Sequence, residues 1–96
     1  MKILLLGSNG QLGKELERQL SIVGSVTAFP RSALDITNHR AVLDTVRCIN
    51  PSIIVNAAAY TAVDKAESDA EQAYAVNAKA VANLAQIAKA ESAWLI

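Results

Sequence analysis

Residues 2–16 read Lys2-Ile3-Leu4-Leu5-Leu6-Gly7-Ser8-Asn9-Gly10-Gln11-Leu12-Gly13-Lys14-Glu15-Leu16, and this stretch decides the fold. Lys2 to Leu6 carries a short, unbroken apolar run without polar alternation, the pattern of a strand covered on both faces. It stops at Gly7. From Gln11 onward Leu12, Leu16, Leu20 and Val23 recur at helical spacing, and Gly24 supplies a stop. Between strand and helix lies Gly7-Ser8-Asn9-Gly10-Gln11-Leu12-Gly13, a G-x-x-G-x-x-G turn.

The same alternation continues outward. Val26-Thr27-Ala28-Phe29 reads as a second strand closed by Pro30. Asn38 to about Ile49 repeats helical spacing through Ala41, Val42, Val46 and Ile49, with Thr37 or Asp35 as cap and Pro51 beyond the end. Ile53-Ile54-Val55-Asn56 is a third strand, followed by the small-residue turn Ala57-Ala58-Ala59. Ser68 to Glu71 has the S-x-x-E form of a capping box, and Ala73, Val76, Ala80, Leu84, Ile87 and Ala88 extend a long third helix. Ala93 to Ile96 opens a fourth strand. The order β-α-β-α-β-α-β with short connections implies parallel strands and right-handed crossovers, hence an α/β fold with a three-layer, Rossmann-like parallel sheet. The expected strand order is 3-2-1-4, the first half of a dinucleotide-binding fold, with residues 1–96 as one NAD(P)-binding domain.

Composition narrows the function. Nine Lys+Arg balance nine Asp+Glu in 96 residues, so no basic footprint points to nucleic acid or an anionic membrane. A single Cys48 allows no intrachain disulfide, and no Cys or His spacing offers a metal cage. The N-terminal apolar run is too short for a signal peptide, and no segment approaches a membrane span, so a cytoplasmic location is expected. Alanine is concentrated after residue 56 while aromatics make up only 4%, which suggests helices lying close to the sheet.

The glycine loop carries the chemistry. Gly7 permits a tight turn, Gly10 lets a pyrophosphate approach the backbone, and Gly13 allows close packing of helix on strand. The N–H groups of Gly10, Gln11 and Leu12, together with the helix dipole, then face an anion, flanked by Ser8 and Asn9. A dinucleotide fold of this type usually ends its second strand in a carboxylate that holds the adenosine ribose. Here that strand ends in Phe29-Pro30-Arg31, and Arg31 suits a 2′-phosphate, which favours NADPH over NADH while leaving NADH possible. Asp35 and Ile36 suit adenine: the carboxylate accepts from the exocyclic amine and the isoleucine covers the ring. Ala57, Ala58 and Ala59 leave the third strand at the edge where ligands lie in such sheets, and Tyr60 and Thr61 add hydroxyls there.

These residues resemble the extended short-chain dehydrogenase/reductases. The resemblance rests on Met1 to Gly13, on the run Asn56-Ala57-Ala58-Ala59-Tyr60-Thr61-Ala62-Val63-Asp64-Lys65-Ala66-Glu67 with Pro51 to Val55 before it, and on Asn77. Within that family the second block is similar to the branch that reduces the 4-keto group of dTDP-6-deoxy-L-lyxo-4-hexulose to dTDP-L-rhamnose with hydride from NADPH or NADH. The resemblance implies that Gly10, Gln11 and Leu12 contact the pyrophosphate, Asp35 and Ile36 the adenine, and Ala59, Tyr60 and Thr61 the ribose and nicotinamide side. Some members carry an aspartate where this chain has Pro30, and its absence agrees with NADPH. A nucleotide sugar is the implied substrate of the full-length protein.

The family's catalytic Tyr-x-x-x-Lys pair is not found among these residues. Tyr60 and Tyr74 have lysines at i+5, Lys65 and Lys79, and five helical steps turn a side chain about 140° away. The catalytic segment is expected beyond Ile96, so the chain reads as roughly the first third of such an enzyme and supplies cofactor binding only. An alternative is a non-catalytic regulator, as in the regulatory subunit of methionine adenosyltransferase, which resembles the same family; an epimerase or dehydratase of the extended family is a third. The unpaired edge of the fourth strand predicts self-association. His39 is expected to be solvated, Cys48 to sit in or beside the core, Trp94 to fill the layer between sheet and helices, and Glu67, Asp69 and Glu71 to favour a helix start.

Overall fold

The computed structural model describes residues 1–58 and 70–96, with side chains outside 70–77. Strand β1 (Lys2–Leu6) leads to helix α1 (Gln11–Val23), β2 (Ser25–Phe29), α2 (His39–Ile49), β3 (Ile53–Asn56), α3 (Ala70–Ala90) and β4 (Trp94–Leu95). All ladders are parallel: Ile3 pairs with Val26 on one side and with Ile53 on the other, and Ile53 pairs in turn with Trp94.

The α/β class and the alternation agree with the sequence reading, but the strand order needs correction. The sheet runs β2-β1-β3-β4 instead of 3-2-1-4. Side-chain chemistry explains the arrangement. In β3 Ile54 and Val55 are buried on opposite faces, so the strand belongs inside, beside β1. In β2 Ser25 and Thr27 are exposed, which suits an edge. After β2 the chain makes a turn in which the Pro30 carbonyl accepts from the N–H groups of Ala33 and Leu34. Leu34 and Ile36 then insert into the core from a segment that pairs with no strand.

β1 divides the core. Ile3 and Leu5 face α1 with Val55 and Ala57, against half-buried Leu16 and Leu20. Leu4 and Leu6 face the opposite layer, with Ile54, Val42 and Val46 of α2, and Ala80, Leu84, Ile87 and Ala88 of α3. With β2 on one side of β1 and β3 on the other, right-handed crossovers require this division of helices between the two faces. Ala80 and Ala88 are almost fully buried, in keeping with the close helix approach inferred from the alanine bias.

The faces differ in coverage. On α1 only Gly13 is buried; Leu12 is 42% exposed, and Ile22 and Val23 project into solvent at the far end. The apolar spacing located the helix but overstated how deeply its first and last turns are covered. Trp94 is 77% exposed and Cys48 is also exposed, so neither fills the place expected of it. The reason is position: β4 lies at the sheet edge, and Cys48 lies on the side of α2 away from the buried Val42 and Val46.

Helix α2 begins one residue later than expected, and its cap is Asn38, whose side-chain oxygen accepts from the Ala41 N–H at 3.2 Å. Its other end is closed by Asn50 in the left-handed region, φ 52°, just before Pro51. Replacing Asn38 by Ala leaves that donor without a partner and is expected to cost about 1 kcal/mol. Urea denaturation checks it; an unchanged midpoint would show the cap to be idle.

Candidate functional site at the carboxyl edge of the sheet

Three strand exits converge at one end of the sheet. The N–H groups of Gly7 and Ser8 both donate to the Phe29 carbonyl, at 2.9 and 3.1 Å, joining the exit of β1 to that of β2. The Ala57 N–H donates to the Leu6 carbonyl at 2.9 Å, joining the exit of β3. The Asn56 side-chain oxygen accepts from the Ala58 N–H at 3.2 Å and shapes the turn after that strand. The sequence marks Phe29 and Asn56 as strand ends but gives neither a part in the site. An amide residue closing an apolar strand was the available sign for Asn56; a backbone carbonyl leaves none.

The glycine loop sits in this junction. Gly7 has φ +73°, and a Cβ added there would lie 2.5 Å from the backbone of Ala58, so only glycine lets the two turns meet. Gly10 has φ +110° and open space where a side chain would be. A Cβ on Gly13 would come 2.7 Å from the backbone of Ser8, which means that this glycine seats the helix on its own loop rather than on the strand.

Helix α1 starts without help from side chains. Its N-cap is Gly10, no side chain caps it, and its first turn holds no acidic residue. Four N–H groups at a helix start lack intrahelical partners, and the macrodipole makes that end positive. The contrast with α2 and its Asn38 cap is direct. The start of α1 is open to an anion at the convergence of the strand exits, the edge where ligands bind in such sheets.

Arg31 stands beside this opening. Its backbone N–H donates to the Asn9 side-chain oxygen at 3.3 Å, and its Nε lies 3.7 Å from Asp35 Oδ2. Asp35 Oδ1 accepts from both the N–H and the hydroxyl of Thr37, at 2.9 and 2.8 Å. Ile36 is buried and anchors this segment in the core, so its side chain does not lie open to cover an adenine ring as the sequence suggests. The structure thus brings together Gly7, Ser8, Asn9, Gly10, Gln11, Leu12, Gly13, Arg31, Asp35, Ile36, Ala57 and Ala58 at one end of the fold. Ala59, Tyr60, Thr61 and Lys65 lie outside the described residues, as do the side chains of Tyr74 and Asn77. Among the described residues no group of His, Cys, Asp or Glu is arranged to hold a metal, and no helix is long and apolar enough to cross a membrane.

The hydrogen bonds from Thr37, first its N–H and then its hydroxyl, hold the Asp35 carboxyl below the usual aspartate value, with Arg31 adding a smaller pull. A lowered folded-state pKa means that the stabilisation is complete above the unfolded value, about 3.9. It is lost as pH falls through the folded-state pKa. A carboxyl NMR titration should find Asp35 below that value in the native protein, and Thr37→Val should raise its midpoint; an unmoved midpoint would refute the assignment.

Comparison with known proteins identifies relatives along the whole chain. The RmlD substrate binding domain model matches residues 1–96. The dTDP-4-dehydrorhamnose reductase of Escherichia coli strain K12 is 48% identical over 100 residues, which cover all of this chain and 33% of that protein. The crystal structure of the Bacillus anthracis dTDP-4-dehydrorhamnose reductase in complex with NADP superposes with a TM-score of 0.84 at 39% identity, covering 98% of this chain and 34% of the other. The Clostridium acetobutylicum dTDP-4-dehydrorhamnose reductase ortholog gives 0.82 at 42% identity, with 99% and 34% covered. The chain spans about a third of the length of the curated relatives it matches. With the family model matched from the first residue to the last, over a fold that solved reductases share, the chain belongs to the RmlD substrate binding domain family.

Proposed function

We propose that residues 1–96 are the dinucleotide-binding domain of a cytoplasmic, NADPH-dependent reductase. The reaction is reduction of the 4-keto group of dTDP-6-deoxy-L-lyxo-4-hexulose, giving dTDP-L-rhamnose, with NADH as a second possible donor. The observation that carries this reading is the uncapped, acid-free start of α1 with an exposed arginine beside it. The relatives named dTDP-4-dehydrorhamnose reductase, one of them in complex with NADP, support the choice of reaction and cofactor.

The residues fit the cofactor: the space beside Gly10 is open where a phosphate would approach backbone, and the guanidinium of Arg31 is held only by a long, exposed 3.7 Å ion pair with Asp35, which a second phosphate would displace. When bound, the dinucleotide supplies the hydride. Gly10, Gln11 and Leu12 hold the pyrophosphate through their N–H groups, on a loop shaped by Gly7, Ser8, Asn9 and Gly13. Arg31 pairs with the 2′-phosphate, while Asp35 accepts from the adenine amine with Ile36 as its apolar anchor. Ala57, Ala58, Ala59, Tyr60 and Thr61 form the ribose and nicotinamide side.

The test is oxidation of NADPH by the full-length protein in the presence of the 4-keto sugar nucleotide, followed by loss of nicotinamide absorbance. Turnover dependent on the sugar nucleotide is expected; cofactor binding without turnover would refute the reductase reading.

A further inference from the structure

Cofactor choice in this site depends on more than the arginine. A long cationic side chain on a surface loop has many rotamers, and ordering it around a phosphate opposes binding. Arg31 is tied down from two directions. Its backbone N–H is held by the side chain of Asn9, which lies 22 residues away in the glycine loop. This bond adds to those from the Gly7 and Ser8 N–H groups to the Phe29 carbonyl and extends the link between the glycine loop and the β2 exit as far as Arg31. Its guanidinium lies beside Asp35, and Asp35 is itself oriented by the two hydrogen bonds from Thr37 to Oδ1, leaving Oδ2 toward the arginine.

The two restraints differ in kind. The Asn9 link fixes where the Arg31 backbone stands. The Nε to Oδ2 separation of 3.7 Å is too long for a hydrogen bond, and both side chains are well exposed. An exposed ion pair of this kind is weak and exchanges readily for a phosphate, which offers more charge and more acceptor oxygens. Asp35 therefore keeps the guanidinium nearby without withholding it.

Resting on the functional reading above, we propose that Asn9 and Thr37 are positioning residues for selecting the 2′-phosphorylated cofactor. Asn9 sets the Arg31 backbone against the glycine loop, and Thr37 acts through Asp35 on the guanidinium. NADH lacks the 2′-phosphate, so these residues discriminate between the two cofactors without contacting the nicotinamide.

The experiment uses the full-length protein, with KM and kcat measured for NADPH and NADH in the wild type, Asn9→Ala, Arg31→Ala, the double variant and Thr37→Val. Asn9→Ala is expected to raise the NADPH KM about tenfold and the NADH KM less than about threefold, because a charge-assisted contact is lost with only one cofactor. In the Arg31→Ala background the Asn9 change should leave the NADPH-to-NADH ratio where Arg31→Ala alone puts it, the mark of two residues acting as a unit. Thr37→Val should shift the ratio in the same direction by about threefold, since Asp35 keeps the Thr37 N–H bond. Calorimetry with adenosine 2′,5′-bisphosphate against AMP reads the same discrimination without turnover. Equal losses for both cofactors, or independent effects of Asn9 and Arg31 in the cycle, would overturn the positioning role and leave the functional reading intact. A wild-type protein that binds neither cofactor would overturn the functional reading itself.

Discussion

Gly7→Ala should destabilise the protein by about 3 kcal/mol or more, from overpacking of about 1–3 kcal/mol and backbone strain of similar size. The new Cβ would lie 2.5 Å from both the N and the Cα of Ala58. Backbone atoms cannot swing aside as the end of a long side chain can, so relief requires the β1 and β3 exits to separate. That movement would break the hydrogen bond from the Ala57 N–H to the Leu6 carbonyl. The positive φ of +73° adds strain that any L side chain would meet. For a domain of this size each kcal/mol moves the melting temperature by about 4–8 °C, so a fall of more than about 12 °C is expected by circular dichroism. Gly10→Ala is the informative partner. Its φ of +110° also carries strain, but a Cβ there meets nothing within 4 Å. Its stability loss should stay near the strain contribution alone, about 1–2 kcal/mol, and under the proposed function affinity for the dinucleotide should fall as well. If both variants melt alike, the meeting of the two turns at Gly7 is not what this glycine serves.

The second large effect lies in the core. Leu84 of α3 is 1% exposed and belongs to the cluster with Leu4, Leu6, Ile54 and Val46. Truncating a leucine in such a setting removes its transfer free energy and leaves a cavity, so Leu84→Ala should cost about 3–5 kcal/mol. Ile22 of α1 is 83% exposed despite its apolar side chain, and Ile22→Ala should fall within about 0.5 kcal/mol of the parent. Leu12, at 42% exposed, should lie between them. Chemical denaturation of the three variants measures the ranking. A Leu12→Ala loss as large as that of Leu84→Ala would mean that α1 lies deeper against the sheet than the structure has it.

Much of this molecule was legible along the chain. The unbroken run Ile3 to Leu6 marks a strand covered on both faces, and that strand is the one that divides the core. Gly24 and Asn50–Pro51 mark helix ends where helices do end. The loop from Gly7 to Gly13 announces the glycine turn between β1 and α1. Capping was harder: the sequence offers Thr37 or Asp35 as the cap of α2, but the cap is Asn38, because Thr37 and Asp35 bond to each other.

By itself the sequence determined the elements, their order, the parallel sheet and the nature of the loop, because helix periodicity, apolar runs and glycine turns are local properties written within a few residues. Only the tertiary structure decided that β3 lies inside and β2 at the edge, that Leu12 and Trp94 stay exposed, and that Asn9 reaches Arg31. Those outcomes depend on which distant surfaces compete for the same burial. Two strands of similar local propensity are ranked by how much apolar area each can hide on both faces, and that comparison exists only once the layers are assembled.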